Sequence, residues 1–201
     1  MPRQSGQIFG DRDESNDVIA NVTNSALHVN VAGPLDTVSG HLEVIDPRRA
    51  LIHQGRMFSF SSVDQAVAAS GVVEILMRVP SGTTAHMAAS GAVSVDMIGT
   101  LWDGPTTSAD GTPITARNRH RGSATTPLSS LFASPTVTGD GTRLMEIFIP
   151  GGSGKQAAGG SGDTGSEWAL DAGDYLLRIE NISGTANSIA NIEINWAEYP
   201  S

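Results

Sequence analysis

The chain has no cysteine, only one lysine, and few aromatic residues. Without cysteine it can form neither a disulfide framework nor a zinc site built on thiolates. Strong helix formers are sparse, whereas valine, isoleucine, threonine, serine and glycine are abundant, which favours strands and turns. No apolar run approaches the roughly 20 residues of a membrane-spanning helix, and residues 1–17 lack the apolar core of a secretory signal. We therefore expect a β-rich protein that is made in a cytoplasm and has no membrane partner.

The length and charge indicate one main domain with an acidic surface. With 201 residues, 39% of them hydrophobic, the chain can bury one sizeable core. A net charge of −9 argues against binding nucleic acid, because phosphate contacts need a basic face. Residues 117–143 are the exception, since they hold four arginines and a single acid. This basic stretch predicts a contact with an oppositely charged partner.

Short apolar runs separated by turn residues recur along the chain and predict an all-β fold. We expect an antiparallel β-sandwich, jelly-roll-like, over residues 41–201, with a glycine-rich loop at 150–166. Residues 62–69 are the one helix candidate, and the Asp-Gly pairs at 110–111 and 140–141 predict two hairpin turns. The predicted strands are 41–45, 50–60, 72–79, 84–87, 93–102, 114–118, 136–138, 144–149, 167–170, 175–182 and 188–196.

Residues 1–40 differ from the rest and predict an extended N-terminal arm. The arm is polar as far as residue 17 and then has two alternating stretches, 18–22 and 26–31. Two such stretches cannot bury an apolar face against each other alone, so we expect them to join a sheet edge of their own domain or of a neighbour. Their candidate partner-binding residues are Val18, Val22, Leu27, Val29 and Val31.

The glycine-rich loop does not match a nucleotide-binding or hydrolase motif. A phosphate-binding loop built on Gly154-Lys155 would need a glycine at position 149 and a serine or threonine at position 156. The chain has Ile149 and Gln156 there. A serine-hydrolase elbow, G-x-S-x-G, is absent from the whole sequence. Neither a nucleotide cofactor nor a serine nucleophile is therefore predicted.

Metal-binding and paired-carboxylate patterns are equally weak. The five histidines have no metal-ligand spacing, and Asp163, Asp171 and Asp174 do not have the spacing of a calcium loop. Glu146 with Glu180 or Asp174 could supply a glycosidase-type pair, although an acidic outer surface explains the same residues. We predict a protein without catalytic residues, cofactors, metals or a small-molecule substrate.

The most distinctive charge cluster is Arg117-Asn118-Arg119-His120-Arg121. In an extended segment Arg117, Arg119 and Arg121 would share one side and form a positive ridge. Such a ridge could bind an acidic patch on a partner or join protomers through bidentate pairs. A solvated loop is the alternative interpretation, and both stay open.

Several stretches resemble small structural proteins of tailed-bacteriophage heads. The stretches that carry the resemblance are GHLEVIDPRRALIHQGRMFSFSS (40–62), TAHM (84–87), LWDGPTTSADGTPITARNRHRGSATT (101–126), LMEIFIPGGSGKQAAGG (144–160) and EWALDAGDYLLRIENISGTANSIANIEINWAEY (167–199). The resemblance covers roughly residues 26–199, and the order of these elements is more specific than any one of them. The chain departs from the family pattern at Arg119-His120-Arg121, where relatives often have Asn-Arg.

The resemblance implies a non-enzymatic decoration or cement protein on the outside of the capsid. Its implied partners are the major capsid protein and further copies of itself, as a homotrimer, and its implied location is the virion. A head fibre or a receptor- or carbohydrate-binding module of the virion is the alternative. That alternative would need exposed aromatic platforms at Trp102, Trp168, Trp196 or Tyr199.

Overall fold

The computed structural model describes residues 18–19, 30–31, 47–152 and 167–200. The chain forms two compact units, residues 1–49 and residues 50–201. In the first unit, strand β1 (Val18–Ile19) pairs antiparallel with strand β2 (Asn30–Val31). Within the described residues these two strands pair with each other, whereas the sequence predicted that both would join another sheet edge.

The second unit is an antiparallel β-sandwich, which confirms the predicted fold class. Helix α1 (Pro47–His53) leads into it. The strands that follow are β3 (Met57–Val67), β4 (Val72–Val79), β5 (Thr83–Val93), β6 (Met97–Asp103), β7 (Thr106–Ala109), β8 (Thr112–Ile114), β9 (Arg117–Asn118), β10 (Ser130–Ala133), β11 (Thr136–Gly139), β12 (Thr142–Ile149), β13 (Trp168–Leu170), β14 (Gly173–Asn181) and β15 (Ser188–Pro200).

Two sheets enclose the core. The larger has the strand order β12-β6-β14-β4-β10-β8, and the smaller has the order β13-β5-β15-β3-β9. Alternate residues of each strand point inward, so Tyr175, Leu177 and Ile179 of β14 are in the core. Trp196 of β15 is fully buried and packs on Phe58, with ring centroids 5.7 Å apart.

Two predicted elements have another secondary structure in the fold, and the predicted strand 93–102 crosses the turn between β5 and β6. Residues 62–69, predicted as a helix, lie mostly in β3, because that segment pairs with β15 from Met57 to Val67 and so satisfies its backbone in a sheet. The predicted strand at 50–60 begins as helix α1, which starts at Pro47, a residue whose fixed φ suits a first helical position. The helix ends before Gly55, which has a φ of 69°. The predicted strand at 41–45 lies outside the described residues.

The two Asp-Gly pairs do not make the predicted hairpins. They are corners where a two-stranded ribbon leaves the larger sheet and returns to it. The ribbon begins as β6 with β12, continues as β7 with β11, and rejoins the sheet as β8 with β10. We call the β7–β11 section the arch. Gly141 (φ 85°) must be glycine, because a Cβ there would lie 2.2 Å from the carbonyl oxygen of Asp103.

An approximate two-fold repeat relates the two halves of the larger sheet. The paired central strands carry matching sequences, 74–79 (EILMRV) in β4 and 174–179 (DYLLRI) in β14, with Leu76 opposite Leu176. The ribbon strands repeat as well, 101–106 (LWDGPT) matching 131–136 (LFASPT), and both halves then reach Asp-Gly-Thr. Rotation about an axis between Leu76 and Leu176 therefore exchanges β14 with β4, β6 with β10, and β12 with β8.

The larger sheet has a second apolar row, on its outer face. Leu76 and Leu176 point away from the main core and are nevertheless fully buried. Trp102 lies beside Leu176 and Phe132 beside Leu76, which extends the row over four strands. Burying both leucines stabilises the fold by roughly 2 kcal/mol each relative to exposure.

Two arginines fasten the arch at its corners. Arg178 of β14 forms ion pairs with Glu74 (2.7 Å) and with Asp140 (2.6 Å) of one Asp-Gly corner. Its symmetry counterpart Arg78 pairs with Asp174 (3.2 Å) and with Asp110 of the other corner. Hydrogen bonds from the Arg178 guanidinium hold the pKa of Asp140 below its ordinary value. We call these two sets of ion pairs the clasp.

Candidate partner-binding surface

The predicted arginine ridge, Arg117, Arg119 and Arg121, is on the surface beside the smaller sheet. Strand β9 pairs with the start of β3, Arg117 opposite Ser59, and the chain then turns away from the sheet. All three arginines are exposed, while the alternating residues Asn118 and His120 are half-buried. The segment therefore presents arginine at every second residue although only its first two residues are in a strand.

The ridge is held by hydrogen bonds to the turn between α1 and β3. The Asn118 amide donates to the carbonyl oxygens of Gly55 (2.8 Å) and Thr125 (2.9 Å), and its oxygen accepts from the backbone N–H of His120. The backbone N–H of Arg119 donates to Met57. Because the backbone is fixed at these points, the three guanidinium groups extend from a rigid base.

The ridge arginines have no ion-pair partner within the described residues, unlike three other arginines of the sandwich. Arg78, Arg143 and Arg178 each pair with carboxylates. Arg56 donates two hydrogen bonds to the carbonyl oxygen of Glu198 and lies 5.1 Å from the centre of the Tyr199 ring. In a chain with a net charge of −9, the ridge is thus a local positive surface whose charge is uncompensated within the described part of the fold.

The structure describes only part of the predicted arm. Val18 and Val31 lie opposite each other in the β1–β2 pair. Val22, Leu27 and Val29 lie outside the described residues, as do most of the predicted arm of residues 1–40 and most of the glycine-rich loop at 150–166. The partner-binding role of all five residues stays a prediction.

The aromatic residues do not form a set of exposed platforms. Trp196 is fully buried, and its indole N–H donates to the Glu198 carboxylate (3.0 Å), which excludes it as a stacking surface. Trp102 and Trp168 are half-buried, and Arg143 and Arg178 lie over the Trp102 ring. Tyr199 is half-buried beside His86, with ring centroids 4.6 Å apart.

Three of the carboxylates considered from the sequence have structural contacts, whereas Glu180 is exposed and Asp163 lies outside the described residues. Asp174 pairs with Arg78, Glu146 pairs with Arg143, and Asp171 accepts a hydrogen bond from Thr84 (3.1 Å). Among the residues that the structure describes, no group of three or more histidines and carboxylates could hold a metal ion. Nor does any helix in that part of the chain have the length and apolar character to cross a membrane.

Comparisons of this chain with protein-family models, with curated proteins and with solved structures found no significant match.

Sequence reasoning did not predict the clasp, although the sequence contains a repeated pattern at the residues that form it. The repeats of Asp-Gly-Thr and of the acidic-x-Leu-x-Arg pattern are visible in the sequence once the pairing of β4 with β14 is known.

Proposed function

We propose that this protein is a non-enzymatic structural component of a tailed-bacteriophage virion that binds the outside of the capsid as a decoration or cement protein. The sequence resemblance over residues 26–199 is the first support for this role. The observation that carries the proposal in the fold is the arginine ridge, which is exposed, rigidly based and uncompensated.

The ridge fits an acidic surface of the major capsid protein. Arginine side chains bind carboxylates bidentately, and three guanidinium groups at alternating positions can engage a row of acids. The negative charge of the remaining surface disfavours other orientations of approach, so the ridge fixes which side faces the shell. Many copies on one shell then turn a weak single contact into firm attachment.

The test is co-sedimentation of the purified full chain with empty phage heads. The variant Arg117→Ser/Arg119→Ser/Arg121→Ser should lose binding by at least tenfold, because three charge-assisted contacts are removed. Arg143→Ser is the matched control, since Arg143 is exposed and already paired with Glu146. Wild-type binding should weaken with added salt, as screening predicts for exposed charges.

A deletion of residues 1–40 tests the contribution of the arm in the same assay, after its thermal unfolding has shown that residues 41–201 remain folded. Loss of sedimentation on deletion would make the arm an anchor. If the full chain does not bind heads and binds a cell-surface glycan instead, the capsid role is wrong and a receptor-recognition module of the virion replaces it.

A further inference from the structure

Strand β12 is a long sheet edge with exposed apolar side chains. It has eight residues and pairs with β6 on one side only, so its other side presents backbone N–H and C=O groups to solvent within the described fold. Phe148 is 59% exposed and Ile147 is 40% exposed, although they point to opposite faces of the sheet. The end of β12 is fixed, because the backbone N–H of Gly151 donates to Asp96 (2.8 Å).

The other edges of the two large sheets have protective features. Strand β8, the symmetry counterpart of β12, is three residues long, contains Pro113, and is followed by β9, which joins the smaller sheet. Strands β9 and β13 have two and three residues. The uncovered part of β3 has a register shift opposite Ser188/Ala190, and Asp64 accepts a hydrogen bond from the backbone N–H of Ala66 (2.9 Å).

Strand β12 lacks these features over its last five residues. Its register shift lies between Arg143 and Met145, which leaves 145–149 in regular pairing with β6. No proline interrupts β12. The only charges on β12, Arg143 and Glu146, pair with each other and make the strand electrically neutral. A regularly paired, neutral edge with exposed apolar residues is a surface on which strand addition occurs readily.

We propose that β12 pairs antiparallel with β12 of a second copy of this chain, across a two-fold axis, so that the larger sheets of two copies become continuous. The strand's neutrality favours an identical partner, because most of the surface is acidic and would repel another copy. The apolar row of Phe148 and its neighbour Ile98 on the outer face would then continue across the axis.

The expected association is weak. An edge of eight residues buries less than the roughly 1,200 Å² of a stable interface, so the dimer should be concentration-dependent. The pairing does not use the arginine ridge, and head binding does not require it. Failure of this proposal and failure of the capsid role can therefore be told apart.

Sedimentation equilibrium of the full chain, from low micromolar to several hundred micromolar, tests the proposal. The wild-type chain should self-associate reversibly, and Phe148→Lys should halve the mass of the assembly because edge lysines block strand pairing. Val63→Lys is the matched control, since Val63 is also an exposed apolar residue (55%) in a strand. It should leave the mass unchanged.

A cross-linking experiment gives a second measurement that does not depend on a destabilising charge. Because the chain has no cysteine, a short thiol-specific bifunctional reagent should join copies of Phe148→Cys and not copies of Val63→Cys. The proposal is overturned by a wild-type chain that stays monomeric throughout, by an assembly whose mass Phe148→Lys does not change, or by a change in mass other than halving. Equal cross-linking of the two cysteine variants would also overturn it.

Discussion

Replacing Arg178 with methionine tests whether the clasp stabilises the sandwich. The Arg178 side chain is 17% exposed and its partner Glu74 is 12% exposed, so the substitution leaves a nearly buried carboxylate without its cation. The second partner, Asp140, is 38% exposed and can recover water contacts. Most of the expected effect therefore comes from Glu74.

The expected loss in the free energy of unfolding is about 3 kcal/mol. Breaking a buried ion pair by removing one member costs roughly 3–5 kcal/mol, and the partial exposure of Asp140 sets the value at the lower end. Arg78→Met should cost less, about 1 kcal/mol, because Arg78, Asp110 and Asp174 are all between 35% and 39% exposed. Arg143→Met should fall within about 0.5 kcal/mol of wild type, since its pair is half exposed.

The free energy of unfolding of all three variants can be measured by urea unfolding that is monitored by tryptophan fluorescence, because Trp102 lies close to Arg178. The double variant Glu74→Met/Arg178→Met should be more stable than Arg178→Met alone, because it also removes the Glu74 carboxylate, which Arg178→Met leaves without a cation. Equal losses for Arg178→Met and Arg143→Met would refute the reasoning. So would a double variant that is less stable than the single one.

Three further predictions concern the same fold. Gly141→Ala should lower the free energy of unfolding by more than about 2 kcal/mol, and Gly82→Ala by only about 1 kcal/mol. Both glycines have positive φ, but nothing lies within 4 Å of a Cβ at Gly82. Equal losses of the two variants in urea unfolding would contradict this. The folded-state pKa of Asp140 is lowered, so its carboxylate stabilises the fold above about pH 4, and this contribution is lost as the pH falls through the folded pKa. The difference in the free energy of unfolding between wild type and Asp140→Asn should therefore become smaller from about pH 7 to about pH 3. A difference that stays constant over this range would contradict the linkage. Asn181→Ala should cost about 3 kcal/mol in thermal or urea unfolding, because the fully buried amide donates to two carbonyl oxygens and to the Ser188 hydroxyl; a loss near zero would show that water replaces the amide.

Local pattern predicted some strands with nearly their observed bounds and failed where a tertiary contact decided the outcome. Strand β5 was predicted only at 84–87, although it pairs with β15 along its whole length. Residues 72–79 were predicted with the observed bounds, because a run of apolar residues ends at Pro80. Residues 62–69 had a weak helical pattern, and pairing with β15 overrode it. Strands β7 and β10 were missed because their short polar or mixed sequences have no period of their own.

For the candidate partner-binding surface too, the sequence predicted the local pattern but not the contacts between distant residues. The alternation of arginine at 117, 119 and 121 was visible in the sequence, and these residues are exposed at alternating positions. Whether a charge is compensated depends on residues distant in the chain, as for Arg178, whose partners are Glu74 and Asp140. That β12 is an edge among the described strands could not be predicted, because a strand is an edge only when no other strand pairs with its second side.

By itself, the sequence determined the all-β class, the absence of cysteine chemistry, the acidic surface and the basic stretch, because composition and period-2 alternation are local properties. Only the tertiary structure decided that the two Asp-Gly pairs are corners of an arch, that Leu76 and Leu176 form a second buried row, and that β12 is a sheet edge within the described fold. These features depend on which strands become neighbours. That choice follows from burial and backbone pairing over the whole sandwich, to which residues far apart in the chain contribute together.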